Sequence, residues 1–288
     1  AGNQCGISLE IIVVCNGSRY NFEFPEPLGG RPERRRASHT VESKMLKTLL
    51  SKIFHRLGYT VVPEWKMEDL PLEQHLARLL QRYEIRTVFD IGANSGQYRD
   101  FLRHRIGFSG TIHSFEPNPA LVEVLKQRAS GDADWHIHPI GIGSTSGSLE
   151  LNIMARDTFS SFRIPDRAQS EKFSTSNVIE RTVSVPVKTL DEVCAELDLG
   201  KLGNYYVKID TQGFDVEVVR GAPQTLRDAR AMQFELPIQR LYQGVPHYRE
   251  LLAEVEALGF ELSGMFAISH DDALRAVEFD CVLVKPSR

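Results

Sequence analysis

The chain has 288 residues, which is long enough to bury a hydrophobic core without disulfide bonds. Hydrophobic residues make up 42% of it and charged residues 25%, values that exclude disordered, collagen-like and low-complexity proteins. Its 34 basic and 38 acidic residues give a net charge of −4, without the broad positive surface of a nucleic-acid-binding protein. No apolar run approaches the roughly 20 residues of a membrane-spanning helix, so we expect a soluble protein with no nucleic-acid partner.

The four cysteines, Cys5, Cys15, Cys194 and Cys281, lack the close spacing of a zinc site or a redox pair. They are also too few to form a disulfide scaffold in a chain of this size, which favours a reducing compartment. The N-terminus shows no secretory signal. These observations predict a cytoplasmic protein.

Residues 1–40 are predicted to form an N-terminal β-hairpin followed by a Pro/Arg-rich connector. Apolar residues alternate with polar ones on both sides of Asn16-Gly17, a dipeptide typical of a tight hairpin turn. This pattern places strands near 7–14 and 18–24. The basic run Arg31 to Arg36 lies among prolines and is interpreted as a solvated linker.

Residues 41–84 are predicted to form a helical cap. A first amphipathic helix includes Met45 to Leu57 and exposes lysines such as Lys44 and Lys47, and a second runs from Leu70 to Arg82. A basic amphipathic helix can lie on a membrane surface, pack on the main domain or contact a partner subunit. Peripheral contact with the inner face of the membrane and homo-oligomerisation therefore both stay open.

From residue 85 to 288 the sequence alternates short β-branched or aromatic runs with helical stretches, as in a mostly parallel sheet covered on both faces. The fold class is therefore α/β, with a doubly wound, Rossmann-like sheet whose ligand binds beyond the carboxyl ends of the strands. Strands are expected near 87–91, 111–115, 135–139, 205–209, 231–236 and 279–285, and helices near 96–105, 118–128, 215–228 and 247–258.

The first of these strands leads into a glycine-containing turn that predicts the cofactor. Asp90 is followed by Gly92 and Gly96, which allow a tight reversal and a close approach to the backbone. A dinucleotide-binding turn needs another glycine where Asn94 stands, which argues against NAD. The carboxylate of Asp90 would repel phosphates but suits the cationic sulfonium and amino group of S-adenosylmethionine.

The second strand ends at Phe115-Glu116-Pro117-Asn118, which places Glu116 where an acidic residue accepts hydrogen bonds from ribose hydroxyls. A carboxylate at the start of the following helix would be the structural alternative.

These segments resemble S-adenosylmethionine-dependent methyltransferases, and more narrowly the FkbM family. The resemblance rests on Asp90 to Gly96, on Phe115 to Asn118 and on the family-specific Lys208-Ile209-Asp210-Thr211-Gln212-Gly213, and it extends from about residue 85 to the end of the chain. It implies a class I methyltransferase sheet with an antiparallel last strand, and methylation of a hydroxyl on a sugar, glycolipid or natural product. The family often has Glu where this chain has Asp215.

The candidate cofactor residues follow from the motifs and the resemblance. Ser160 and Ser161 match a serine pair of the family within a long insertion, which is either a lid or an ordinary polar surface loop. Gly141 is placed near the adenine, opposite Glu116. The set comprises Asp90, Gly92, Asn94, Ser95, Gly96, Tyr98, Glu116, Pro117, Gly141, Ser160 and Ser161.

A hydroxyl is a poor nucleophile until it loses its proton, so a general base is expected near the transferred methyl group. Asp210, just after the strand at 205–209, is the first candidate, and capping of the next helix is its alternative role. Glu235 is expected to line the acceptor pocket or assist the base, or to pair with Lys208. A divalent cation held by Asp210 and Glu235 is an open but less favoured alternative.

Histidines offer other candidate bases. His247 lies in a loop expected over the acceptor, and His270 lies in another polar loop. His136 and His138 alternate within a strand and are interpreted as structural. The rival functions are N- or carboxyl-methylation on the same fold, a dehydrogenase, and a non-catalytic S-adenosylmethionine-binding module.

Overall fold

The computed structural model divides the chain into two compact units, Ala1–Pro71 and Leu72–Arg288. The structure describes residues 11–15, 18–22, 53–54, 56–57, 60–62, 67–155, 159–166, 178–199 and 204–286. The predicted connector up to residue 40 and most of the first cap helix, including Lys44 and Lys47, lie outside the described residues.

The first unit contains a small antiparallel sheet in the order β2-β1-β3. Strands β1 (Ile11–Cys15) and β2 (Ser18–Phe22) form the predicted hairpin, because Cys15 pairs with Ser18 on either side of the turn. A short third strand that the sequence did not predict, β3 (Thr60–Val62), pairs with the other edge of β1.

Helix α1 (Leu70–Arg82) has the bounds predicted from its amphipathic pattern. Pro71 occupies its first turn, where the missing N–H has no intrahelical partner to lose. Its apolar face buries Leu76, Leu79 and Leu80 in the hydrophobic core beneath the central sheet.

The central sheet has seven strands in the order β12-β13-β11-β10-β4-β5-β6. Pairs among β11, β10, β4, β5 and β6 are parallel, whereas β13 is antiparallel to both β11 and β12, which confirms the predicted topology. Among these seven strands, only β12 was not predicted from the sequence. The strands are β4 (Thr87–Ile91), β5 (Thr111–Phe115), β6 (Trp135–His138), β10 (Tyr205–Ile209), β11 (Ala231–Pro237), β12 (Glu261–His270) and β13 (Ala276–Val284).

Helices connect these strands on both faces of the sheet. The single helix predicted over 215–228 is two helices, because Pro223 lacks an N–H and its ring would clash with the preceding turn. The predicted helix at 96–105 continues from a short α-helix into a π-helical segment, Phe101–Ile106. The α-helices are α2 (Gln97–Asp100), α3 (Pro119–Ala129), α4 (Leu190–Glu196), α5 (Asp215–Arg220), α6 (Pro223–Asp228) and α7 (Tyr248–Ala257).

A second, three-stranded sheet lies in the insertion after β6. It consists of β7 (Gly141–Ile142), β8 (Gly147–Met154) and β9 (Ile179–Lys188), in the order β7-β9-β8. No strand was predicted here from the sequence, but the paired strands β8 and β9 bury a small apolar cluster between them. Its fully buried members are Leu151, Ile153 and Val185.

The main core lies on the two faces of the central sheet, and all five side chains of β4 and of β10 are buried. Burial on both faces explains why these strands are nearly continuous apolar runs in the sequence. Among the described residues, no helix is both long and apolar enough to span a membrane.

Candidate active site

The ends of four neighbouring parallel strands bring together the four acidic residues that the sequence predicts as site residues. Asp90 lies in β4, Glu116 follows β5, Asp210 follows β10, and Glu235 lies near the end of β11. Because β5, β4, β10 and β11 are consecutive in the sheet, these carboxyl groups share its carboxyl edge. This is the edge at which open α/β sheets bind ligands.

The turn after β4 needs glycine at two positions because other parts of the fold pack closely against it. A Cβ on Gly92 would overlap the carbonyl oxygen of Asp210, and the φ angle of Gly92 is +82°. A Cβ on Gly96 would lie 2.8 Å from the indole of Trp135, at a φ of +89°. Between them, the Asn94 side chain accepts a hydrogen bond from Ser95 N at 2.7 Å. The glycines therefore let the turn pack against the backbone at Asp210, which follows β10, and against the ring of Trp135.

Glu116 joins the turns that follow two strands. Its Oε2 accepts a hydrogen bond from Asn94 N, and its Oε1 accepts one from Asn118 N, both at 2.8 Å. Its side chain is almost completely buried, and burial raises its pKa to about 7. Asn118, whose Oδ1 accepts from Ala120 N, caps helix α3, and Pro117 is partly buried between the two. Each carboxyl oxygen of Glu116 keeps a further lone pair for a ligand hydroxyl.

Lys208 is a buried cation between two predicted site residues. Its Nζ lies 3.3 Å from Asp90 Oδ1 and 3.0 Å from Asp210 Oδ2. Burial alone would lower the pKa of Lys208, but the carboxylates of Asp210 and Asp90 raise it above its usual range. Burial raises the pKa of Asp90, whose Oδ2 accepts a hydrogen bond from Ser114. The close ion pairs of Lys208 are therefore with Asp90 and Asp210, and the charge of Glu235 adds to theirs in raising its pKa.

Tyr98 covers the buried lysine. The Nζ of Lys208 lies 5.1 Å from the centre of the Tyr98 ring, a cation–π arrangement. The Tyr98 hydroxyl donates a hydrogen bond to Gln233 Oε1 at 3.0 Å, and burial raises the pKa of Tyr98. The structure thus connects Tyr98, proposed from sequence as a cofactor residue, to the carboxyl edge through Lys208.

The loop after β10 is closed by Asp215. This carboxylate accepts hydrogen bonds from the backbone N of Thr211 at 3.1 Å and from its hydroxyl at 3.0 Å, and burial raises its pKa to about 6. Helix α5 has no side-chain cap, and the hydrogen bonds of Asp210 go instead to Lys208 and Gln212. The helix-capping alternative for Asp210 is therefore not what the structure shows.

Gln212 is a site residue that sequence reasoning missed. Its Nε2 donates to Asp210 Oδ1 at 3.0 Å and to Glu235 Oε2 at 3.1 Å, so one amide connects the two carboxyl groups. Burial, followed by the charges of Asp210 and Glu278, raises the pKa of Glu235 well above its ordinary value. The available signal was the position of Gln212 within the family-specific segment that begins at Lys208.

Glu278 on β13 is a second acidic residue that sequence reasoning missed. It pairs in register with Pro237, two residues beyond Glu235, and accepts a hydrogen bond from Ser269 at 3.3 Å. Burial and the charge of Asp210 raise its pKa. Although acidic side chains concentrate here, no group of three or more His, Cys, Asp or Glu among the described residues is arranged to hold a metal ion.

The serine pair and Gly141 lie in the insertion after β6, with Gly141 in β7 and the serines between β8 and β9. Ser161 is buried, and its hydroxyl donates to the carbonyl oxygen of Gln212 at 2.8 Å and accepts from Arg163 N at 3.0 Å. Ser160 accepts a hydrogen bond from the backbone of β8 at 3.3 Å. A Cβ on Gly141 would lie 2.8 Å from the ring of Phe162. Ser161 therefore ties the insertion directly to the loop after β10.

His247 begins helix α7. Its Nδ1 accepts from Arg249 N at 3.4 Å, and its backbone N donates to Glu250 at 3.2 Å, which together form a capping box. The exposed His247 helps to line an open cleft of about 490 Å³. Its neighbour Tyr248 and Pro237 of β11 also line this cleft. Pro237 lies two residues after Glu235 along β11.

The other histidines lie elsewhere. His270 ends the edge strand β12. His138 and His136 stack on the ring of His113, with ring centres 5.2 and 4.9 Å apart, and His113 Nδ1 lies 3.0 Å from His138 Nε2. Burial lowers the pKa of His113 to about 3 and that of His138 to about 4, so both are neutral members of the packed sheet.

Together, the sheet order, the antiparallel β13, the glycine turn after an acidic strand end and the carboxylate after the second strand define a class I methyltransferase domain. Residues 90–262 match the methyltransferase FkbM domain. The chain therefore belongs to the FkbM methyltransferase family.

Two curated proteins are similar in sequence. The 2-O-methyltransferase NoeI of Sinorhizobium fredii is 25% identical over 223 residues, which are 75% of this chain and 85% of NoeI. The hexuronic acid methyltransferase AglP of Haloferax volcanii is 26% identical over 181 residues, which are 60% of this chain and 65% of AglP. The chain thus spans slightly less than two thirds of AglP.

Solved structures also match at low identity. A crystal structure of methyltransferase FkbM from Methylobacillus flagellatus has a TM-score of 0.42 and 13% identity, and the match covers 70% of this chain and 44% of that one.

Proposed function

We propose that this protein transfers a methyl group from S-adenosylmethionine to a hydroxyl of a carbohydrate-containing acceptor, with Asp210 as the general base. Membership of the FkbM family supports methyl transfer. The name of NoeI supports an oxygen acceptor, and the name of AglP supports an acidic sugar as the acceptor class. The observation that carries the proposal is the placement of Asp210 at the carboxyl edge, between Lys208 and Gln212.

The described residues fit S-adenosylmethionine. Glu116 has free lone pairs on both carboxyl oxygens for ribose hydroxyls, and the buried Asp90 Oδ1 has an ion-pair partner but no hydrogen-bond donor. Acidic side chains outnumber the single buried cation Lys208 at this edge, which favours a cationic ligand over a phosphate-rich one. When bound, S-adenosylmethionine supplies an electrophilic methyl group carried by a sulfonium.

Asp210 has the exposure and the fixed position that a general base needs. Its side chain is 26% exposed, whereas that of Asp90 is completely buried, so Asp210 is the member of the lysine-bridged pair that can reach an acceptor. Lys208 and Gln212 each hold one of its carboxyl oxygens. In the proposed reaction, the proton of the acceptor hydroxyl passes to this carboxylate as the oxygen becomes the nucleophile.

We propose that Glu235 lines the acceptor pocket beside Asp210. Because burial and the neighbouring carboxylates raise its pKa, Glu235 keeps its proton to a higher pH than an exposed glutamate does, which limits repulsion between the two carboxyl groups. Two residues further along β11, Pro237 helps to line the open cleft, where Tyr248 offers an aromatic surface. We propose that the acceptor enters through this cleft.

Calorimetry with S-adenosylmethionine, and with NAD as the competing ligand, tests the cofactor. We expect saturable binding of S-adenosylmethionine that weakens in Asp90→Ala. Binding of NAD alone would refute the assignment and favour a dehydrogenase.

Transfer of a labelled methyl group to neutral and uronic acid oligosaccharides tests the reaction. Asp210→Asn should lower the turnover by about 100-fold or more while keeping the cofactor affinity, because a general base contributes 10²–10⁴-fold. Asp272→Asn, in the exposed turn after β12, is the matched control. Full turnover in Asp210→Asn would refute its role as the base.

The product distinguishes O-methylation from carboxyl-methylation. A methyl ether survives mild alkali, whereas a methyl ester of a uronic acid is hydrolysed. A product that mild alkali hydrolyses would refute hydroxyl methylation and support carboxyl-methylation.

A further inference from the structure

We propose that Gln212 is a positioning residue, whose side-chain amide holds Asp210 and Glu235 in one fixed arrangement for proton removal from the acceptor. The inference deepens the proposed function and rests on it. We do not propose that Gln212 contacts the reacting atoms, because its amide hydrogens are already directed at the two carboxyl groups.

The amide is matched to its two partners. Nε2 carries two hydrogens and no charge, and the two carboxyl oxygens that it faces lie at 3.0 and 3.1 Å. A glutamate here would add a third carboxyl group, and an aliphatic side chain would leave both existing carboxyl groups without this donor. Glutamine is therefore the long side chain that can bridge Asp210 and Glu235 without changing the net charge of the site.

The orientation of the amide is fixed from its other end. The hydroxyl of Tyr242 lies 3.1 Å from Gln212 Oε1 and donates towards it, which keeps Nε2 directed at the carboxyl groups. The same hydroxyl lies 3.1 Å from the carbonyl oxygen of Phe159, so its one hydrogen is shared between the two oxygens. The buried Tyr242 thus links the position of the amide to the segment between β8 and β9.

The backbone at Gln212 is held in an unfavourable conformation. Its φ is +53°, in the left-handed region that residues other than glycine seldom adopt. Ser161 binds its carbonyl oxygen, Arg163 Nε binds the carbonyl oxygen of Gly213 at 2.9 Å, and Asp215 binds Thr211. Such strain persists where surrounding contacts over-determine the conformation, and it is concentrated at functional sites.

The position of the amide affects the titration of Glu235. The groups facing Glu235 are Asp210 and Lys208 from β10 and its loop, Glu278 and Asp280 from β13, and Tyr242 from the loop before α7. A donor hydrogen bond from Gln212 favours the ionised form of Glu235 against burial and these neighbouring carboxylates. Removal of that donor should therefore raise the pKa of Glu235 further.

The test compares Gln212→Met with Gln127→Met, the same substitution at an exposed position of α3. Methionine keeps the length of the side chain but donates no hydrogen bond. Carbon-13 carboxyl NMR should show the Glu235 midpoint about one pH unit higher in Gln212→Met, the scale expected for one lost hydrogen bond to a charged group. The Gln127→Met titration should match that of the wild type.

Kinetics provide the second measurement. Gln212→Met should lower kcat about 10- to 100-fold and shift the basic limb of the pH profile, while changing the affinity for S-adenosylmethionine less than threefold. An unshifted Glu235 midpoint, or equal losses in both variants, would overturn the positioning role. If Gln212→Met does not fold, Tyr242→Phe should shift the midpoint in the same direction by a smaller amount, and no shift would overturn the proposal.

Failure of this inference can be distinguished from failure of the proposed function. The NMR titration requires neither cofactor nor acceptor, so it decides the role of Gln212 even if no acceptor is methylated. Conversely, methyl transfer that is lost in Asp210→Asn and intact in Gln212→Met would retain the proposed function and reject the positioning role.

Discussion

Binding of an adenosine ligand should depend on pH through Glu116. Both carboxyl oxygens of this residue accept backbone hydrogen bonds at 2.8 Å, and burial raises its pKa to about 7. Ribose hydroxyls donate best to the ionised form. Since the pKa is raised, the protonated form dominates below pH 7, and affinity should increase as the pH rises.

The size of the effect follows from the fraction of Glu116 that is ionised. With a pKa of about 7, roughly one molecule in eleven is ionised at pH 6 and roughly ten in eleven at pH 8. The dissociation constant should therefore decrease about tenfold across this range, equivalent to about 1.4 kcal/mol.

Calorimetry with 5′-methylthioadenosine measures this dependence, because the ligand keeps the ribose but lacks the titrating amino group of S-adenosylmethionine. Glu116→Gln keeps one acceptor oxygen and loses the charge, so its affinity should be lower at pH 8 and independent of pH. A wild-type affinity that does not change between pH 6 and 8, or a pH dependence that survives in Glu116→Gln, would refute this reasoning.

Three other predictions concern stability. Gly92→Ala should lower the free energy of unfolding by about 3 kcal/mol or more, because the new Cβ meets a backbone carbonyl, whereas Gly131→Ala, in open space, should change urea unfolding little. Lys208→Met should cost about 3–5 kcal/mol by leaving two carboxylates without their cation, and an equal loss in the exposed Lys126→Met would contradict this. Because burial lowers the pKa of His113 from 6.5 to about 3, the free energy of unfolding should fall by about 3 kcal/mol as the pH falls from 7 to 4, and an unchanged acid-unfolding profile in His113→Phe would contradict this.

The predictable part of the fold is the part buried on both faces. Strands β4, β5 and β10 have the bounds expected from the sequence, because each is a short run rich in β-branched or aromatic residues between polar or glycine-containing turns. The edge strand β12 was missed because most of its residues are exposed and its pairing with β13 contains irregularities. Strand β8 was missed because its first half is exposed.

The site divides in a similar way. The motifs placed Asp90, Glu116, Asp210 and Glu235 at the same edge, since the carboxyl ends of neighbouring parallel strands meet there. The motifs did not provide the partners of these residues. Lys208 faces Asp90 across β10 and β4, a register that depends on which strands are neighbours in the sheet.

The sequence by itself determined the class of fold, the glycine turn and the positions of the acidic strand ends, because these depend on local patterns of polarity and backbone conformation. The tertiary structure alone decided which carboxylate pairs with Lys208 and how Gln212 connects two strands to the insertion sheet. These contacts join residues as far as 118 positions apart, Asp90 and Lys208 among them. Side-chain pairing at such separations depends on strand order and register, which local sequence patterns do not encode.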